Sequence, residues 1–123
     1  MARFPTHGAA GFMTPLARTM KRLNETGWTA EIVERRLCSK VKKDPFGADI
    51  IAVKGLVTMA VQVTDVDHFS QHRKDLEANP NARAWVSAGN SLQCWAWRVR
   101  GKPKDDPLVW DLLLPTWTEE EDG

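Results

Sequence analysis

Residues 44–64, DPFGADIIAVKGLVTMAVQVT, restrict the fold of this chain more than any other stretch. β-Branched residues are frequent in two short apolar runs, and Lys54-Gly55 between them reads as the turn of a β-hairpin. Asp49 stands at the mouth of the first strand, and Gln62 and Thr64 lie inside the second. Side chains alternate faces along a strand, so Gln62 and Thr64 point one way while Val61 and Val63 point the other. Two same-face positions given to an amide and a hydroxyl have two readings. Either this is an edge strand with one wet face, or the strand carries a site.

The flanking segments supply a frame. Thr14 as N-cap, Pro15 at the first helical position and Gly27 just past the end predict a helix between them. Leu16, Met20 and Leu23 fall within about 60° of one another on it, at about 100° per residue, with Arg18, Lys21 and Arg22 opposite. Trp28 to Leu37 is compatible with strand or a second helix; the Gly27-Trp28 start and Ile32-Val33 favour strand. Residues 38–47 read as a basic loop. Asp65 or Asp67 caps a helix reaching about Ala78, with Phe69, Arg73 and Leu76 on one side, and Asn79-Pro80-Asn81 stops it. A short helical turn over 82–88 buries Trp85. Leu92 to Arg100 is a strand with Trp95 and Trp97 on one face, where core is a better reading than base stacking. Lys102 to Pro107 is a charged connection to a last, antiparallel strand from Leu108 to Leu114. The order is helix, three strands, helix, two strands, an α/β or α+β sandwich with a helix on each face of one sheet.

Composition narrows the class. At 123 residues, with 42% apolar residues and six Trp, the chain has enough for one core. The expected division is a flexible arm over 1–13, one domain over 14–114 and an acidic tail over 115–123. No apolar run of about 18 residues occurs, so no membrane partner is expected, and no signal peptide is read at the N-terminus. Cys38 and Cys94 sit in no CxxC pair and read as reduced thiols of a cytoplasmic protein. The net charge of +1 conceals an asymmetry. Residues 1–43 hold nine Lys and Arg against three Glu, a local charge of +6, and the remainder is −5. Such a basic end suits a phosphate backbone, because neutralised phosphates and released counterions drive binding; a solvated surface is the plainer alternative. His68 and His72, four apart, lack the third ligand that a zinc site needs. Neither a phosphate-cradling glycine loop nor a Cys-His dyad is present, so hydrolases of the Ser or Cys type are not supported.

Several motifs together carry a resemblance: GW-x-x-E-I-V-E-R (Gly27 to Arg35), D-x-F-G-x-D-I-I-A (Asp44 to Ala52) and V-Q-V-T (Val61 to Thr64). A helix with Arg73-Lys74 and a Gly-x5-Trp-x-Trp strand (Gly89 to Trp97) follow them. With the element order, they resemble small phage and bacterial members of the PD-(D/E)XK nuclease superfamily over about residues 14–100. The resemblance implies a restriction-endonuclease-like core, a mixed sheet of about five strands flanked by helices. Asp49 matches the metal-binding Asp, Gln62 stands where the second acid is expected, and Glu34, or else Glu31, matches an acid near the first strand. Thr64 occupies the place of the motif lysine. Lys74 or Arg73 on the following helix, or Lys43 in the basic loop, would have to replace that cation.

The implied activity is metal-dependent hydrolysis of DNA. Such cleavage needs a hard cation held by oxygens, to polarise the phosphate and acidify a water. Asp49, Glu34 and the Gln62 amide would supply oxygens to Mg²⁺ or Mn²⁺, and Gln in place of an acid removes one negative charge. Lys43, Arg73, Lys74 and Arg35 would contact nucleic acid, branched or single-stranded DNA included. By analogy with small nucleases of this fold, a homodimer is implied. A fold of this kind without its lysine could equally serve as a nucleic-acid-binding or protein-interaction module. For Asp49 and Gln62 themselves, the alternative to a site is a turn cap and a hydrogen bond within the sheet.

Overall fold

The computed structural model describes residues 13–33, 35–38, 41–43, 45–98 and 105–114, with backbone alone at 35–38, 41–43 and 45. The elements run α1 (Pro15–Glu25), β1 (Thr29–Ile32), β2 (Arg35–Cys38), β3 (Val41–Lys43), β4 (Ile50–Lys54) and β5 (Val57–Asp65). After them come α2 (Phe69–Ala78), α3 (Pro80–Ser87), β6 (Ser91–Trp97) and β7 (Leu108–Asp111). The protein is therefore a mixed α/β fold. Five strands form one sheet in the order β1-β4-β5-β6-β7, in which β5 and β6 are parallel and the other neighbours antiparallel. β5 is central, so Gln62 and Thr64 lie on an inner strand and the edge-strand reading fails.

The hairpin of β4 and β5 closes as its residues demand. Lys54 pairs with Val57, leaving Gly55-Leu56 as a two-residue loop in which Gly55 takes the positive φ of 61° that such turns favour. One face of the sheet buries Ile50, Ala52, Met59, Val61, Trp95 and Trp97 against Leu23 of α1. The other buries Ala60, Leu92 and Cys94 against Leu76 of α2 and Ala82 of α3. Trp95 and Trp97 thus belong to the core, as their alternation predicts.

Helix α1 begins as its punctuation predicts, with the Thr14 hydroxyl accepting the Ala17 N–H at 3.1 Å. Its polar side differs from the expected one. Arg18 is 6% exposed, its guanidinium lies 4.5 Å over the Trp97 ring, and it donates to the Arg98 carbonyl at 2.7 Å. Arg22 flanks the same ring at 5.6 Å and reaches Asp106 at 3.1 Å. The indole makes the buried arc wider than the aliphatic stripe, because a flat guanidinium packs on an aromatic face as an apolar group would.

A second correction concerns residues 28–47. The predicted single strand divides at Val33, whose N–H donates to the Asp49 carbonyl at 2.8 Å. β1 joins the main sheet. β2 leaves it and pairs antiparallel with β3, which lies in the stretch read as a basic loop, so that Arg35 stands opposite Lys43 and Arg36 opposite Lys42. Asp65, one of the two candidate caps, accepts the His68 N–H at 3.0 Å ahead of α2. Asn79 both ends α2 and caps α3, accepting the N–H groups of Asn81 and Ala82.

Candidate functional site

The turn before β4 brings Asp49 under α2. Phe46 and Gly47 both take positive φ, 55° and 79°. Phe46 is held by the Trp85 ring at 4.8 Å. A Cβ on Gly47 would come within 2.9 Å of Leu76 Cδ2, and the φ of 79° would strain any other residue, so glycine suits the chain's close pass beneath the helix. Two residues later Asp49, 4% exposed, ties three segments together. Its N–H donates to the Val61 carbonyl at 2.9 Å, its carbonyl accepts from Val33, and its Oδ2 accepts the Val63 N–H at 2.7 Å. The carboxylate stands where a strand carbonyl would continue the ladder.

Ile50 pairs with Val61, and Asp49 just before it bonds to Val61 and Val63, the two neighbours of Gln62 on β5. Gln62 is opposite Cys94 of β6, and Thr64 opposite Ala96. Both polar residues are inside, at 9% and 8% exposure. Gln62 Oε1 is buried and has no hydrogen-bond partner among the described residues. A buried acceptor left so costs about 1–3 kcal/mol, which an ion or a water would offset. Burial, then the Asp49 charge, push the Cys94 thiol up to about 12, with Arg73 acting the other way. That thiol stays protonated and is no nucleophile.

A cleft of about 470 Å³ opens at this end of the sheet. Thr14, Pro15 and Leu16 at the start of α1 form one wall, and His68 and His72 the other, with Asp49, Val63, Thr64 and Asp65 between them. Asp65 Oδ1 also meets the His68 ring Nδ1 at 2.8 Å. Burial alone would raise the Asp65 carboxyl, but the hydrogen bonds from the His68 ring and backbone outweigh it and hold the group below the usual range.

The residues expected from the sequence separate into groups. Asp49 and Thr64 line the cleft, and Gln62 lies beneath it. Glu34 lies outside the described residues, and the alternative acid, Glu31, is exposed on β1 opposite Ile51. Arg73 is half-buried with its guanidinium 5.4 Å from both the Phe69 and Trp110 rings, and Lys74 is exposed; neither lines the cleft. Arg35 and Lys43 face each other in register on the β2–β3 ribbon. The two cleft histidines lack a third ligand in the sequence, and no zinc site is expected of them, yet both line the cleft. Their signal in the sequence is Asp65, which caps the turn Val66–His68 leading into α2 and binds the His68 ring.

Among the described residues no three His, Cys, Asp or Glu converge as a metal site. No helix among the described residues is long and apolar enough to cross a membrane. Comparison with known protein families, with curated proteins and with solved structures finds no match for this chain.

Proposed function

We propose that the protein is a metal-dependent nuclease of the PD-(D/E)XK kind, hydrolysing phosphodiesters in DNA with Mg²⁺ or Mn²⁺. One observation carries the reading: the Asp49 carboxylate lines a cleft at the end of the sheet, and Gln62, whose buried amide oxygen has no partner among the described residues, lies in the strand that Asp49 hydrogen-bonds. The element order also supports it, since Asp49 heads the second strand of the main sheet and Gln62 and Thr64 sit in the third, as the resemblance implies for a restriction-endonuclease-like core. Asp49 and Gln62 would hold the cation, with Glu34 as a third donor. Bound there, such an ion would supply charge at the phosphate and lower the pKa of a water. Asp49 is fixed for this by its bond from Val63, so little reorganisation is needed on binding. The Thr64 hydroxyl, next along the same face, orients water or a phosphate oxygen. Arg35 and Lys43 on the ribbon would follow the phosphate backbone of branched, single- or double-stranded DNA. A cytoplasmic homodimer goes with this reading.

A second reading has its own observation. Thr64 replaces the expected lysine, and Arg73 and Lys74 do not line the cleft. The same fold would then bind nucleic acid through its basic ribbon without cutting it. Cleavage of branched, single- and double-stranded DNA with Mg²⁺ or Mn²⁺ distinguishes the two. Metal-dependent cutting by wild type that is absent from Asp49→Asn supports the nuclease. Equal behaviour of the two proteins removes it, and DNA binding at low salt without cutting leaves the binding module.

A further inference from the structure

We propose that His68 is the proton acceptor of this site, aligned by Asp65, an assignment that rests on the nuclease reading and fills the place of the motif lysine by different chemistry. Asp65 holds His68 at two points, its Oδ1 accepting the backbone N–H at 3.0 Å and the ring Nδ1 at 2.8 Å. An ionised carboxylate oxygen only accepts, so Nδ1 carries the proton of the neutral ring and Nε2 keeps its lone pair. The Asp65 side chain is 26% exposed and the His68 side chain 68%, so the carboxylate is tucked in while the ring stands free in the cleft. Asp49 and Thr64 line that same cleft.

Imidazole ordinarily exchanges a proton near neutrality, as a general base should. His72 also reaches the cleft, but its Nδ1 is buried without a partner, so nothing selects its tautomer. The charged or titratable groups around His68 among the described residues are Asp65 from β5, Asp49 ahead of β4, His72 from α2 and Asp67 in its own turn; Thr14, Pro15 and Leu16 of the facing wall carry no charge. In the step, a cleft water gives one proton to His68 Nε2 as its oxygen bonds to phosphorus. The bond from phosphorus to the leaving oxygen breaks, and that oxygen keeps the electron pair and takes a proton from solvent. His68 then returns its extra proton to bulk water. The products are one phosphomonoester end and one hydroxyl end.

The test uses the full chain, Mn²⁺ and branched DNA, with wild type, His68→Ala and Asp49→Asn. His68→Ala should lose about 10²–10⁴-fold in kcat and lose the acid limb of the pH profile. Added imidazole should restore cutting, while calorimetric Mn²⁺ binding stays at the wild-type value. A residue that only shapes the cleft would give no rescue. In ¹⁵N spectra of wild type, His68 should be the Nδ1–H tautomer, and that readout does not depend on turnover. The Nε2–H tautomer, activity of His68→Ala within about threefold of wild type, or a loss that imidazole does not restore overturns the assignment while an inactive Asp49→Asn keeps the nuclease. No cutting by wild type on any DNA overturns both.

Discussion

Replacing Asp49 in two ways separates its structural work from its chemical work. Asp49→Ala removes the oxygen that accepts the Val63 N–H at 2.7 Å, in a site only 4% exposed. A buried N–H deprived of its acceptor costs about 1–3 kcal/mol. At about 4 °C per kcal/mol for a domain of this size, the melting temperature should fall by about 4–12 °C. Asp49→Asn leaves an amide oxygen at the same place, so it should melt close to wild type without metal. The two variants should converge when Mn²⁺ is added. A ligand at a hundredfold excess over its Kd stabilises by about 2.7 kcal/mol, which should raise the wild-type melting temperature by about 10 °C. Neither variant should show that rise. Thermal unfolding followed by circular dichroism, with and without Mn²⁺, reads both effects. An Asp49→Asn protein that gains as much from Mn²⁺ as wild type refutes the carboxylate as a ligand. An Asp49→Ala protein that melts with wild type refutes the reasoning about the Val63 bond.

Gln62→Met should raise stability by about 1–2 kcal/mol in denaturant unfolding, because the orphaned amide is exchanged for an apolar chain of similar volume, and it should weaken Mn²⁺ binding; lower stability would count against the amide as an unsatisfied group. Gly47→Ala should cost about 1–3 kcal/mol by chemical denaturation, since φ is 79° and the new Cβ would meet Leu76 Cδ2 at 2.9 Å. In a Cys38→Ser background, Cys94 should resist iodoacetamide at neutral pH until the protein is unfolded. Its raised folded pKa contributes stability that is complete below about pH 9 and fades as pH rises towards about 12, measurable as a falling urea midpoint. Asp65→Ala should lose about 1 kcal/mol of cap stabilisation. The Asp65 carboxyl is lowered on folding, so in wild type its contribution is present above the ordinary carboxylate range and lost as pH falls below it, which acid titration of the melting temperature would follow.

The parts of the fold legible in the sequence are those fixed by local chemistry. Thr14, Pro15 and Gly27 bound α1, Asn79-Pro80 separates two helices, and the alternation around Gln62 sets which residues share a face. The burial of Arg18 is not legible locally because it depends on Trp97, which is 79 residues away in sequence and supplies the surface that the guanidinium covers. The break at Val33 was invisible for a similar reason. Residues 31–36 keep a strand-compatible pattern throughout, and only pairing decides that β1 joins β4 while β2 turns away to β3. Gln62 and Thr64 are legible as one face of a strand and Asp49 as the mouth of the strand before it, but what stands over them is not. That depends on how α2 crosses the sheet, which turns His72 into the cleft and sends Arg73 to Phe69 and Trp110 instead.

The two faces of the sheet treat their polar groups differently, and the difference favours a site on one of them. Against α1, Trp97 Nε1 donates to the Thr19 hydroxyl at 2.8 Å, and that hydroxyl donates to the Pro15 carbonyl. Trp95 Nε1 donates to Gln93, whose amide donates to Asp111. Each of these inward polar atoms is matched, as stability alone would require. Against α2, Gln62 Oε1, His72 Nδ1 and Arg73 Nε are buried and have no partner among the described residues. At about 1–3 kcal/mol each, three such atoms would consume much of the roughly 5–15 kcal/mol that keeps a domain folded. A sequence able to satisfy one face and not the other was not limited by its fold. Arg73 stands away from the cleft, but His72 lines it with Asp49 and Gln62 lies in the strand that Asp49 bonds, so a bound ion, water or phosphate would supply partners for these two where local consistency is expected to yield to function.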